Sequence, residues 1–215
     1  MAISALRVSA SCTMALLIAG CTQQVTGLAV FPQSETPGLV TALGVDVDDL
    51  MLDLPRMRTI TGAGQYLNVI PTMDGKYPVD IELLAKDVPP PCQFVFEETQ
   101  TFGPDLADFH KTTYQNPPGG GLISQGAAVY RDAPTARAAF DNLVTNANAC
   151  AQGPAGPVLV GYVASGADSM QLRPARTCGR DYQLKSVVLA EVTFCEFPET
   201  VPAIVMTNLL DRVPG

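Results

Sequence analysis

Four cysteines beyond residue 90 (Cys92, Cys150, Cys178 and Cys195) constrain this chain more than any other feature, because of what precedes them. The opening MAISALRVSASCTMALLIAGC has one positive charge, Arg7, ahead of a short apolar run from Met14 to Ala19, and no acid before Cys21. That run is far shorter than the roughly 20 residues a membrane-spanning helix needs. Its small-residue ending is that of a secretory signal. Ile18-Ala19-Gly20-Cys21 also has the shape of a bacterial lipobox. There the cysteine thiol is acylated and becomes the new amino terminus, and each CH2 buried in the bilayer contributes about 0.8 kcal/mol to anchoring. Residues 1–20 are therefore expected to be removed. Cys21 is expected to carry lipid on the extracytoplasmic face of the cell membrane, residues 21–45 to form a lipidated tether, and residues 46–215 a single domain.

An even number of cysteines in an exported chain reads as disulfides. Three pairings are open to four cysteines, and the spacings favour Cys92–Cys150 with Cys178–Cys195. Loops of these lengths should each contribute about 3–4 kcal/mol in the chain-entropy picture. A zinc site is the rival reading, but there is no CxxC pair and only one histidine, so neither metal nor cofactor is expected.

Cleavage before Cys21 removes one charge, Arg7, and leaves 12 basic against 21 acidic residues, a net charge of −9 on 195 residues. Such a domain is repelled by phosphate backbones, which excludes nucleic acid as a partner. It would not adhere to anionic lipid either, so the acyl group must hold it there.

Residues 22 to about 45 scatter Gly, Pro, Ser and Thr with few charges, as a tether does. Asp46 to Leu54 reads as a short helix with acids at its positive end, stopped by Pro55. The clearest helix is Pro134 to Ala151, capped by Asp132 and carrying Ala136, Phe140, Leu143, Val144, Ala147 and Cys150 on one face. Gly126 to Tyr130 reads as a strand feeding it. Val158–Val163, Ser169–Arg173, Arg180–Leu184 and Ser186–Phe197 read as further strands, the last a central one. The 17-residue separation of Cys178 and Cys195 suits antiparallel neighbours, and Thr200 to Arg212 reads as a final helix. Helices before and after consecutive strands predict an α+β fold with a central antiparallel sheet and packed helices.

Catalytic machinery is not visible. The only histidine, His110, falls in DLADFHKTTY, read as a polar helix surface. No GxSxG elbow exists, and Ser165 sits in a turn. The acids Glu97-Glu98 and Asp46/Asp48/Asp49 read as solvated faces rather than as two carboxylates across a cleft. Gly119-Gly120-Gly121 lacks the Lys-Ser/Thr of a phosphate loop and precedes a strand, so it reads as a flexible loop.

The ordered features resemble a known family. They are Val25-Thr26-Gly27-Leu28-Ala29-Val30 after the anchor, Asp49-Leu50-Met51-Leu52, Pro91-Cys92 and Ile123 to Tyr130. Asp132 to Arg137, Asn148-Ala149-Cys150-Ala151 and the Cys178…Cys195 pair complete the set. Together, over about residues 45 to 213, they are similar to mycobacterial lipoproteins carrying a PknH-type extracellular sensor domain. The resemblance implies two disulfides in sequential pairing, a cleft that binds ligand, and no catalysis. The chain has no Trp, which family members place near the helix before the second cysteine. Asn146 or Asn148 stands there, so no indole contact is expected. The resulting expectation is a lipid-anchored, non-catalytic ligand-binding or sensing domain with a small-molecule or envelope ligand, and Tyr114, Gln125, Tyr130 and Arg180 as candidates to line its cleft. Two rivals stand beside it: an envelope hydrolase with an unrecognised acid pair or dyad, and an interaction module for a membrane protein partner.

Overall fold

The computed structural model describes residues 44–174 and 177–214. The signal, lipobox and nearly all of the tether lie outside the described residues. Among the described residues are seven α-helices and seven strands: α1 (Val47–Leu50), α2 (Leu54–Thr61), β1 (Asn68–Gly75), α3 (Glu82–Ala85), α4 (Glu98–Phe102), β2 (Leu106–Asn116), β3 (Gly121–Tyr130), α5 (Ala133–Gln152), α6 (Gly156–Leu159), β4 (Tyr162–Ser165), β5 (Ser169–Arg173), β6 (Cys178–Lys185), β7 (Val188–Cys195) and α7 (Thr200–Leu210). The strands form one antiparallel sheet in the order β1-β2-β3-β7-β6-β5-β4. The expected α+β fold is thus observed.

Alternation along the strands builds two cores, one per face. Ile123, Val129, Val188, Ala190, Val192 and Phe194 pack beneath α1, α2 and α7. Ala128, Tyr130, Leu184 and Leu189 face the other way, against α5, α4 and a 3-10 segment at Pro90–Val95. Strands β3 and β7 are therefore buried on both sides, as SVVLAEVTFCEF foretells.

Aspartates start three of the helices. Asp46, Asp53 and Asp132 accept hydrogen bonds from the backbone N–H groups of Asp48 (2.9 Å), Arg56 (2.8 Å) and Thr135 (2.8 Å), the usual device for satisfying orphan donors at a helix start. Pro55 does not stop a helix but occupies the first turn of α2, where a missing N–H costs nothing. Val158–Val163 is not one strand: α6 ends at Leu159, Gly161 turns the chain at a φ of 58°, and β4 begins at Tyr162. The triple glycine forms a tight connection between β2 and β3, where Gly120 takes a φ of 67° after a 3-10 turn. That left-handed value suits glycine because other residues place Cβ too close to the backbone. Val45, assigned to the tether by its sequence, is buried in the first core.

The disulfides are Cys92–Cys150 and Cys178–Cys195. The first pins the Pro90–Val95 segment to the end of α5. The second joins residues directly opposite on β6 and β7. Their sequence separations are 58 and 17, so closure of the longer loop constrains the unfolded chain more. Replacing Cys92 and Cys150 by Ala should lower stability by about 4 kcal/mol, and replacing Cys178 and Cys195 by about 3 kcal/mol. Urea unfolding of the two double variants checks the order.

Candidate functional site

Tyr114, Gln125 and Tyr130 are almost wholly buried, and their polar atoms are engaged inside the fold. Gln125 accepts from Leu52 N–H at 3.0 Å, donates to Leu52 C=O at 2.7 Å and donates to the Tyr114 hydroxyl at 2.9 Å. The Tyr114 hydroxyl donates to the same carbonyl at 3.1 Å. These two side chains thus lock the segment between α1 and α2 onto the sheet. The Tyr130 hydroxyl donates to Phe102 C=O at 2.7 Å and fixes the end of α4. Their burial corrects the expectation that they line a cleft: a strand tyrosine in a two-faced sheet points into packing as readily as into solvent.

Arg180, the fourth candidate, lies on the α5 face and donates to Val95 C=O at 3.0 Å. It belongs to a buried ionic group centred on Glu191 of β7. Lys111 of β2 donates to both Glu191 oxygens at 3.2 Å and pairs with Glu98 of α4 at 2.8 Å. Thr193 donates to Glu191 Oε1 at 2.5 Å. Burial pushes the Glu191 carboxyl up, but Lys111 and Arg180 outweigh it and hold it below the usual glutamate range. Beside them the Tyr182 hydroxyl is buried without a hydrogen-bond partner, and burial raises its phenol well above the ordinary value. Glu98 is therefore not the solvated acid its sequence context suggests.

His110 lies in the middle of β2, not on a helix. Its Nδ1 is 2.7 Å from Asp48 Oδ1 and its Nε2 is 3.0 Å from Asp74 Oδ1. Asp48 also pairs with Lys76. Thr112 Oγ1 lies 3.3 Å from Nε2 but donates to Asp74 at 2.8 Å. Both ring nitrogens face carboxylate oxygens and the nearest hydroxyl, Thr112, donates to Asp74, so this trio lacks the working geometry of a nucleophile and its base. It ties α1 to β1 and β2, and Asp48 is drawn into that tie.

The described residues hold an open cleft of about 500 Å³ where α7 crosses the sheet without covering β4 and β5. Ser169, Gln171, Asp181 and Gln183 form its floor, with Met206 and Thr207 of α7 as one wall. Arg173 of β5 holds the acid of that floor. It donates to Asp181 Oδ1 at 2.6 Å, holds Glu199 at 2.7 Å and stacks over Phe194 at 5.1 Å. Burial pushes the Asp181 carboxyl above its ordinary range, and the guanidinium only partly offsets this. None of the four sequence candidates lines this cleft. Its floor was signalled by Ser169, Gln171 and Arg173 alternating with the buried Met170 and Leu172. A polar strand face marks a cleft only once a helix is known to run beside it.

Among the described residues no group of three or more His, Cys, Asp or Glu side chains could hold a metal ion. None of their helices is long and apolar enough to cross a membrane.

Two stability measurements check the buried chemistry. Lys111→Met should cost about 3 kcal/mol at neutral pH by leaving Glu191 short of a counter-charge. A depressed carboxylate contributes stability that is present above its unfolded value and lost as pH falls through its folded value. Lys111→Met should therefore also flatten the acid limb of the stability profile measured by urea unfolding from pH 7 to 3. Tyr182→Phe removes an unpaired hydroxyl and should be neutral or stabilising, whereas Tyr130→Phe strands the Phe102 carbonyl and should cost about 1–2 kcal/mol.

The PknH-like extracellular domain family matches residues 44–212. The crystal structure of the extracellular domain of PknH from Mycobacterium tuberculosis is similar in fold, with a TM-score of 0.55 and 13% identity. The match covers 77% of this chain and 93% of that one. No curated protein matches. The family match spans more than three quarters of the sequence and takes in both disulfides and all seven strands: the chain belongs to the PknH-like extracellular domain family.

Proposed function

We propose that this chain is a lipid-anchored, non-catalytic sensing domain of the extracytoplasmic face, acylated at Cys21, that binds a polar, uncharged ligand in the cleft between α7 and strands β4–β6. The observation that carries this reading is the cleft lining. Two glutamine side chains and the hydroxyls of Ser169 and Thr207 offer donors and acceptors without net charge, and Met206 adds an apolar wall. The one acid there, Asp181, is already matched by Arg173. A few convergent polar groups on a concave surface fix a ligand's orientation by hydrogen bonding. A charged lining would instead favour an ionic ligand, and the one charge here, Asp181, is engaged by Arg173.

Absence of catalysis is supported by the arrangement of titratable groups. His110 is held between two carboxylates, and Lys111 and Glu191 neutralise each other under α4. No described nucleophile is paired with a free base. Membership of a family named for an extracellular domain supports the location, and Leu-Ile-Ala-Gly-Cys supports the anchor.

The anchor is checked by mass spectrometry of the mature protein, with an acylated Cys21 expected as the first residue and an unmodified terminus counting against it. The cleft is checked by NMR titration with a panel of neutral sugars and short neutral peptides. Shifts should gather at Gln171, Gln183 and Thr207, and Gln171→Ala should weaken binding by about tenfold, the loss of roughly one good hydrogen bond. Shifts gathered elsewhere, or binding unchanged by Gln171→Ala, would remove the cleft from the reading.

A further inference from the structure

Between the edge strand β1 and helix α4 the chain wears its polarity inside out. Tyr77, Val79 and Ile81 project outward at 82%, 61% and 50% exposure, followed on α3 by Leu83 at 68% and Leu84 at 47%. Between them Asp80 turns inward, accepting from Thr99 N–H at 3.0 Å and Thr99 Oγ1 at 2.6 Å at the start of α4. The same stretch is held rigidly. Val79 N–H donates to Glu98 at 2.8 Å, Glu98 N–H to Val79 C=O at 3.3 Å and Ile81 N–H to Phe96 C=O at 2.8 Å. A fixed segment with its apolar side chains out and its acid in is an interaction surface, since monomeric proteins rarely leave such side chains grouped in water.

We propose that Tyr77, Val79, Ile81, Leu83 and Leu84 seat against the lipid bilayer to which the chain is tethered, orienting the domain on the membrane. The inference rests on the lipid-anchored reading and is argued from the patch's charge, its place and its backbone. Lys76 and Lys86 flank it among the exposed acids Asp48, Asp74, Glu82 and Asp87, in a mature chain carrying −9. Grouped apolar side chains gain from burial in hydrocarbon, and a zwitterionic bilayer sets no surface potential against the acids beside them. Tyrosine and flanking lysines are the residues that rest at the headgroup level. The point of chain entry lies beside it, because Asp48 of α1 pairs with Lys76, next to Tyr77. The 24 residues from Cys21 to Gly44 can extend to no more than about 80 Å, which keeps the bilayer within reach of this side. A strand-adding peptide is a poorer fit to the neighbouring edge. β1 carries Pro71 and a register shift between Val69 and Asp74, both of which discourage pairing with a further strand.

The test uses the mature chain, in which Cys21 is the one thiol outside the two disulfides, coupled there to a maleimide lipid in phosphatidylcholine nanodiscs containing a spin-labelled lipid. Chemical coupling makes the result independent of native processing, which mass spectrometry decides separately. The methyl signals of Val79, Ile81, Leu83 and Leu84 should broaden severalfold more than those of Val158 and Ile204, which are 76% and 45% exposed elsewhere. Ile81→Asp with Leu83→Asp should abolish that difference while leaving the folded spectrum intact. Uniform broadening would overturn the proposal, as would none. So would loss of the same signals in lipid-free solution through self-association, or their protection only when a membrane protein is added.

Discussion

The pairing of β3 with β7 is the constraint on which the rest of the structure depends. It joins residues 121–130 to residues 188–195 across the middle of the sheet, and both strands are buried on their two faces. Neighbouring residues on one strand serve opposite cores: Ala128 and Leu189 support α5, while Val129 and Val188 support α1, α2 and α7. A one-residue slip would send each set to the wrong side. Burial of side chains of this size stabilises by about 1.5–3 kcal/mol each, so the register is held by many such terms at once. Helices, disulfides and cleft all take their positions from it.

A protein with 21 acids and 13 bases has few cations to use, and several of them tie one element to another. Lys111 neutralises Glu191 beneath α4, Arg173 gathers Asp181 and Glu199 at the mouth of the cleft, and Lys76 holds α1 through Asp48. Arg180 is turned inward to a carbonyl. These cations therefore serve contacts between elements, and Lys76, Lys111 and Arg173 each take one or two acids with them.

Legibility followed the range of the interactions. Asp132, Pro134 and the apolar face of α5 are local signals, and that helix stands where they say. The same holds for Thr200 to Leu210 and for the strands at Ser169–Arg173 and from Arg180 onward. The cysteine spacing was readable because bridges between elements so read have few other partners. What failed was decided at a distance. DLADFHKTTY carries polar residues that look solvated, yet Asp108, His110 and Thr112 meet α1 and β1 laterally, which makes the segment a strand. Pro55 reads as a stop or as a first-turn residue, and only the Asp53 cap before it decides. Tyr114 and Gln125 have the chemistry of ligand contacts, but the chain itself, at Leu52, takes up their hydrogen bonds. The floor of the cleft consists of ordinary polar strand residues, distinguished only by the path of α7.

The position of β7 in the sheet also sets an order of events. The strand that completes the middle of the sheet is the last of the seven along the chain. Before it arrives, β1, β2 and β3 form one half and β4, β5 and β6 the other, with no ladder joining them. A chain synthesised amino terminus first cannot close either core until about nine tenths of it has been made. Contacts of such long range are slow to form because loop closure must precede the burial that rewards it. The topology thus leaves both halves of the sheet open while the chain is made and commits it to its fold only once β7 is present.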